Sequence, residues 1–374
     1  MEILFHLPTL VALAAVQARL RLDPTPAAWL KLTAAWGGIA ALCLVMALGP
    51  HRFAFLRGAA WLLFAYLPIH ALLSARTLGG RARGSRTADG AGSRRRLAGR
   101  LKALATLLLM TAAWAFLVEP RWLEITRFTV ESEKLGRALR VAVISDLQTD
   151  RIAGHERRAL EAALAARPDL VLLPGDYLQI DDPAARAREA ARLRELLEEL
   201  RFTAPLGVIA VRGDVEQDGW QSIFAGTGVQ TYEKTTRLEL GDLVVTALSP
   251  RDSRMRRAWL PRTERFHLAF GHAPEFALDQ DQLDRPTADL LIAGHTHGGQ
   301  VRLPFLGPLI TLSDVPRSWA AGRTDLANGA TLIVSRGVGM ERGRAPRLRF
   351  LCRPEVTIVD LVPAQGSSAR RRSS

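Results

Sequence analysis

Residues 288–300 read ADLLIAGHTHGGQ: a short run, Ala288–Ala293, apolar except for Asp289, followed by Gly294-His295-Thr296-His297-Gly298-Gly299-Gln300. An apolar run this short, closed by glycines, predicts a strand buried on both faces. After it come two imidazoles on either side of a turn, with adjacent glycines that let the backbone bend sharply. Working outward, the same design recurs. Leu139–Ser145 runs into Asp146-Leu147-Gln148, and Leu170–Pro174 into Gly175-Asp176-Tyr177. Val208–Val211 ends in Arg212-Gly213-Asp214-Val215-Glu216, and the run 266–270 ends in Gly271-His272.

The first three of these strands alternate with expected helices at 155–167 and 183–200. In the second helix, Leu193, Leu196, Leu197 and Leu200 recur at i, i+3, i+4 and i+7, the spacing of one buried face. Further strands are expected at 236–240, 243–248, 330–335 and 355–362. Helices between strands at first, then mostly strands, predict an α/β sandwich of two mixed sheets with helices outside. Ligand sites in open α/β sheets lie beyond the carboxyl ends of strands. Five strand ends thus send three Asp, one Gln and three His towards one place. Oxygen and imidazole ligands without thiolate form a hard-to-borderline metal set.

These blocks resemble the calcineurin-like metallophosphoesterase superfamily, and the ending GHTHGGQVRLPF (294–305) is similar to its membrane-anchored bacterial branch. SRGVG (335–339) and PRLRFLCRPEV (346–356) match that branch as well, so the resemblance spans about residues 139–362. It implies the four-layer α/β sandwich and two divalent ions, Mn, Fe or Zn. Carried over by position, Asp146, Gln148, Asp176 and His297 hold the first ion. Asp176 as the bridge, with Asp214, His272 and His295, holds the second, and Asp176 and His295 are the expected catalytic pair. Such a pair of ions clamps a phosphoryl group and makes a bridging water nucleophilic, hydrolysing phosphoesters without a protein nucleophile.

Three positions depart from the pattern. Gln148 stands where the family usually has His, and Asp214 stands where it usually has Asn. Val215 replaces the histidine used beside the phosphate. Help of that kind is typically worth about 10²–10⁴ in rate. The reading is therefore a metal-dependent phosphoesterase acting on a phosphodiester or pyrophosphate bond, with His155 or Tyr177 as candidate substitute donors. Arg336, Arg342 and Arg347 are candidate phosphate clamps. The alternative is a degenerate phosphoesterase that binds metal or phospholipid without turnover.

The N-terminal third differs in kind. Segments 27–48, 53–75 and 102–119 approach the ~20 apolar residues that cross a bilayer, and 3–18 is a shorter fourth candidate. A membrane region over 1–119 with three to four spans is expected, ahead of a phosphoesterase domain at 120–365 and a disordered tail at 366–374. The chain's net charge is +13, and residues 1–119 hold 14 Lys and Arg against 4 Asp and Glu, so only +3 remains for the rest. Most of the excess lies in the loop 76–102, expected to be unstructured and, by the positive-inside rule, cytoplasmic. The segment 102–119 then leads outward. That assignment predicts a multi-pass protein of the bacterial plasma membrane with an extracytoplasmic catalytic domain. Membrane lipids or a lipid-linked phosphoester become the expected partners. The modest charge of the catalytic part and its tethering argue against nucleic acid. Two distant cysteines, Cys43 and Cys352, give no disulfide framework.

Overall fold

The computed structural model describes residues 52–83, 87–256, 258, 260–281, 287–343 and 345–364, together with Ala14 and Ala18. The expected segments 3–18 and 27–48 and the tail 366–374 otherwise lie outside the described residues. The chain divides into two compact units, one of residues 1–117 with 343–347 and one of 118–342 with 348–374.

In the first unit, helix α1 (Arg52–Trp61) passes through a π-helical turn at Leu62–Tyr66 into α2 (Leu67–Arg83), and α3 (Ala88–Ala113) follows. Two helical stretches, Leu56–Arg83 and Ala88–Arg121, are long and apolar enough to cross a membrane. The stretch 76–102, expected to be unstructured, is helical at 76–83 and 88–102. Small side chains explain why. Ala75, Leu78 and Ala98 are buried together with Leu101 packed on them, so the two helices lie close and carry the arginines on their remaining faces.

The second unit contains two six-stranded mixed sheets. The first runs β1 (Glu124–Ser132), β14 (Glu355–Pro363), β2 (Leu139–Val143), β3 (Leu170–Leu173), β4 (Val208–Val211) and β5 (Gln230–Tyr232). The second runs β12 (Gly322–Asp325), β13 (Thr331–Val334), β9 (Leu290–Ala293), β8 (Phe266–Phe270), β7 (Leu243–Ala247) and β6 (Thr236–Leu240). A short antiparallel pair, β10 (Arg302–Leu303) and β11 (Gly307–Pro308), stands apart. Strands β2, β3 and β4 are parallel, as are β7, β8, β9 and β13.

Three apolar layers account for the continuous hydrophobic runs. Between the sheets, Val141, Leu170, Leu172 and Ile209 meet Val245, Phe266, Leu268, Leu290 and Ile292. On the outer face of the first sheet, Ala159, Leu160 and Ala163 of α4 (Gly154–Ala165) and Leu193, Leu196 and Leu197 of α5 (Pro183–Glu199) cover Ala142, Val171 and Ala210. Each such leucine contributes roughly 1.5–3 kcal/mol by burial. Asp182 caps α5 by accepting from the Ala185 N–H at 2.7 Å, with Pro183 in the first turn. A third cluster, including Phe276, Leu291 and Leu332, backs the second sheet.

The expected central strands and both helices form within two residues of their predicted ends. Strands β1, β5 and β12 were not expected. β1 alternates exposed and half-buried side chains and exists through its parallel pairing with β14, from Glu124 opposite Glu355 to Ser132 opposite Pro363.

Candidate metal centre

The carboxyl ends of β2, β3 and β4 in one sheet and of β8 and β9 in the other bring six of the seven expected ligands, all but Gln148, into two adjoining groups. Asp146, Asp176 and His297 offer ligand atoms within 4.8 Å of one another, and so do Asp214, His272 and His295. His272 Nε2 lies 3.4 Å from Asp176 Oδ2 and 3.5 Å from Asp214 Oδ2, so it touches both groups.

The backbone is bent to achieve this. Asp146, Gln148, Asp176, His295 and His297 all have φ between +29° and +69°, a region that side chains other than glycine rarely adopt and that collects at functional sites. Glycines open the space. A Cβ on Gly213 would stand 2.2 Å from Asp176 Oδ1, and one on Gly294 would stand 1.8 Å from Ser145 Oγ and 2.4 Å from Asp146 Oδ2.

Hydrogen bonds then hold Asp176, Asp146, His272 and His295 in place. Asp176 Oδ1 accepts the N–H groups of Asp214 (2.6 Å) and Val215 (3.0 Å), leaving Oδ2 towards His272. Asp146 accepts from the Ser145 hydroxyl and from the His295 N–H at 3.0 Å. The Pro174 carbonyl holds His272 Nδ1 at 2.9 Å, and the Leu312 carbonyl holds His295 Nε2 at 3.0 Å. Each ring therefore turns its other nitrogen inward, as carbonyl-anchored metal-binding histidines do. Buried Glu216 accepts the N–H groups of Gly213 (2.7 Å), Asp176 (2.9 Å) and Tyr177 (2.7 Å), pinning the second and third blocks together.

Carboxylates and imidazoles crowded in a buried site shift one another's titration. Burial pushes Asp146 up to about 6, with the neighbouring Asp176 carboxylate adding to the rise against the pull of His272. Burial pushes Glu216 up to about 7. His272 behaves oppositely: burial would lower it, but Asp176, Asp214 and Asp146 push it up to about 10. Burial would raise Asp214, yet hydrogen bonds from His272 and His295 hold it well below the usual carboxylate range. Burial and the charge of Arg349 hold His297 well below its ordinary value, so it is a neutral imidazole.

Two buried atoms test whether a metal fits. Gln148 Oε1 and His297 Nδ1 have no hydrogen-bond partner among the described residues. Leaving such groups unsatisfied costs about 1–3 kcal/mol each, and both belong to the expected first-ion set. Gln148 is oriented rather than loose. Its amide nitrogen donates to Gln179 Oε1 (3.1 Å) and to Glu341 Oε2 (3.0 Å), and Gln179 donates to Glu341 Oε1 (2.9 Å). The residues therefore fit divalent cations, with oxygen and imidazole donors suited to Mn, Fe or Zn.

Other expectations are corrected. Arg336 is tied into the fold, its guanidinium engaged by Glu355 and, at 2.8 Å, by Glu124. Arg342 braces the first block, donating to the Gln148 carbonyl (2.6 Å) and to Asp150 (2.6 Å). Tyr177 is buried and donates to the Leu173 and Val211 carbonyls, and His155 sits on the Val338 carbonyl at 3.0 Å, so neither supplies the missing donor. Missed in the sequence were the Gln179–Glu341 pair and Arg254, whose guanidinium meets Asp214. Buried Arg349, on the Arg336, Gly337 and Gly339 carbonyls, steadies the loop whose Val338 and Gly339 N–H groups hold the Ser145 and Asp146 carbonyls.

Comparisons with known proteins bear on this geometry. The family model described as calcineurin-like phosphoesterase matches residues 139–299. YkuE of Bacillus subtilis (strain 168), an uncharacterized metallophosphoesterase, is 30% identical over 267 residues, which cover 66% of this chain and 88% of the relative. The phosphodiesterase YaeI of Escherichia coli (strain K12) is 29% identical over 294 residues, covering 72% of this chain and 99% of that one. The solved structure of Yfce, a phosphoesterase from E. coli, overlaps 56% of this chain and 85% of its own at 17% identity and a TM-score of 0.29, too low to carry an argument.

Proposed function

The chain belongs to the calcineurin-like phosphoesterase family, and from that premise we propose that it is a dinuclear metal-dependent phosphodiesterase. The observation that carries this reading is the pair of ligand groups at the strand ends, joined through His272 and Asp176, with Gln148 Oε1 and His297 Nδ1 left for a cation. Asp146, Gln148, Asp176 and His297 would hold one ion, and Asp176, Asp214, His272 and His295 the other. Divalent ions there would supply Lewis acidity to the phosphoryl oxygens and acidify a coordinated water. The chain's own residues do the rest. The carbonyl-anchored rings of His272 and His295 and the doubly bonded Asp176 carboxylate keep the ligand atoms in register. The wholly buried first group excludes bulk water.

Similarity to a phosphodiesterase supports a phosphodiester or pyrophosphate bond as the target. The two long apolar helices are consistent with a protein held at a membrane, and we propose a lipid-linked phosphoester of the bacterial plasma membrane as substrate, with the extracytoplasmic side resting on the arginine-rich stretch 76–102 alone. The test is hydrolysis of bis-(p-nitrophenyl) phosphate by the full chain in detergent, loaded with Mn²⁺, Fe²⁺ or Zn²⁺, beside Asp176→Asn. Metal-dependent turnover lost in the variant is the expected result. Bound metal without turnover of any phosphodiester would overturn the hydrolase in favour of a metal- or phospholipid-binding module.

A further inference from the structure

Val215 leaves the site without a side-chain donor beside the phosphoryl group, and neither Tyr177 nor His155 replaces it. Arg254 does approach. It caps the one-turn helix α6 (Pro250–Ser253), which follows β7, far in sequence from any ligand block. Its guanidinium forks onto Asp214, with Nη2 on Oδ2 and Nε 3.2 Å from Oδ1. The same Oδ2 lies 3.0 Å from His295 Nδ1 and 3.5 Å from His272 Nε2. A fixed positive charge therefore stands at the edge of the second ligand group. That edge is the open one: the Arg254 and Asp214 side chains are 44% and 34% exposed, against 1% for His272 and 8% for His295.

We propose that Arg254 is a catalytic residue that contacts the phosphoryl group of the substrate, taking over the charge-stabilising part of the role vacated at Val215. The proposal rests on the metal-dependent phosphodiesterase reading. An exposed ion pair adds little to folding stability, so the fold does not explain why a guanidinium is held against a ligand carboxylate. Chemistry does. A cation on Asp214 competes with the guanidinium for the same lone pairs, and the next anion at the open edge is a bound phosphoryl group. Arginine's planar fork matches two phosphoryl oxygens, which a lysine ammonium does not.

The replacement also narrows the substrate class. A guanidinium stays protonated in proteins, so it neutralises charge developing on the phosphoryl oxygens but cannot give a proton to the departing oxygen. The P–O bond to the leaving group breaks with both electrons on that oxygen, which leaves as an anion. Phosphoanhydrides and esters of acidic alcohols suit such a site. Simple alkyl diesters do not.

The experiment compares wild type, Arg254→Ala and Arg254→Lys in the metal-loaded full chain. The readouts are metal content by elemental analysis, calorimetric binding of inorganic phosphate, and kcat/KM on p-nitrophenyl phosphodiesters and on alkyl diesters. Expected for Arg254→Ala are unchanged metal content, at least tenfold weaker phosphate binding, and kcat/KM down by ~10²–10³, the range for one preorganised charge-stabilising donor. Lysine should restore part of the loss. Wild type should prefer p-nitrophenyl over alkyl leaving groups steeply. Phosphate binding and kcat/KM within twofold of wild type would overturn the proposal, as would a loss explained wholly by lost metal. If wild type hydrolyses nothing yet binds phosphate in an Arg254-dependent way, the hydrolase reading falls and the contact stands. If wild type is active and Arg254→Ala equals it, the reverse holds.

Discussion

The two ligand groups of the centre are built alike and charged differently. Asp146, Asp176, Gln148 and His297 are almost wholly buried, contain two carboxylates and a neutral imidazole, and leave two polar atoms without partners. Of Asp214, His272 and His295 only Asp214 reaches the open edge, at 34% side-chain exposure, and the positive charge beside it is supplied by the chain: an imidazolium at His272 and the Arg254 guanidinium. One group is incomplete without a cation, whereas the other must give up a proton, and its hold on an arginine, to take one. On the proposed dinuclear reading, the first group is expected to retain its ion more tightly than the second.

The contrast is broken most severely at Asp176, the residue proposed to bridge the two groups. Asp176→Asn should abolish turnover, a loss of at least ~10³, and leave at most one ion per chain; elemental analysis and initial rates check it. Next is the peg between the blocks. Glu216→Ala strands three buried N–H groups, each worth about 1–3 kcal/mol, so a loss of at least ~3 kcal/mol should appear in chemical denaturation of the metal-free protein. Equal stability would show that the blocks hold without the peg.

The proton that guards the second group makes a pH prediction. His272 is raised from its ordinary value near 6.5 to about 10. Its contribution to metal-free stability is therefore fully present below pH 6.5 and is lost as pH rises through about 10. Metal must displace that proton, so affinity at the second group should weaken by about tenfold per unit as pH falls below 10. The first group, whose imidazole is already neutral, should vary far less over the neutral range. Isothermal titrations at pH 7, 8 and 9 would reveal two ions with different slopes; a shared slope would remove the distinction.

Smaller effects sharpen it. Glu341→Ala frees the Gln148 amide and should weaken the first ion by ~10–100-fold, the usual cost of losing a ligand's supporting partner, with the second ion unaffected. Val215→His should raise kcat on unactivated alkyl diesters by about tenfold or more and do little for p-nitrophenyl esters.

Much of this was legible in the sequence, for identifiable reasons. Strands such as Val208–Val211 are buried on both faces, so their apolar runs show without periodicity. The ligands follow those runs directly, which is why five strand ends could be read as one site. Strands β1 and β12 have exposed faces and take shape by pairing with β14 and β13, which no local pattern encodes. The 76–102 stretch looked like a loop because arginines dominate its composition, while the alanines that pack the hairpin are inconspicuous. Arg254 stands among Arg251, Arg256 and Arg257 with nothing to single it out; only the fold brings it 40 positions back to Asp214. For the same reason Arg336 and Arg342 look no different from Arg254 in the sequence; the fold separates them, because Glu355, Glu124 and Asp150 belong to neither ligand group, whereas the partner of Arg254 is Asp214 itself.

Paramagnetic resonance of the metal-stripped full chain titrated with Mn²⁺ tests the dinuclear centre most directly. Two ions per chain, with an exchange-coupled signal at saturation that Asp176→Asn reduces to uncoupled Mn²⁺, is the predicted result. A single equivalent, or two equivalents that never couple, would contradict a bridged pair at Asp176.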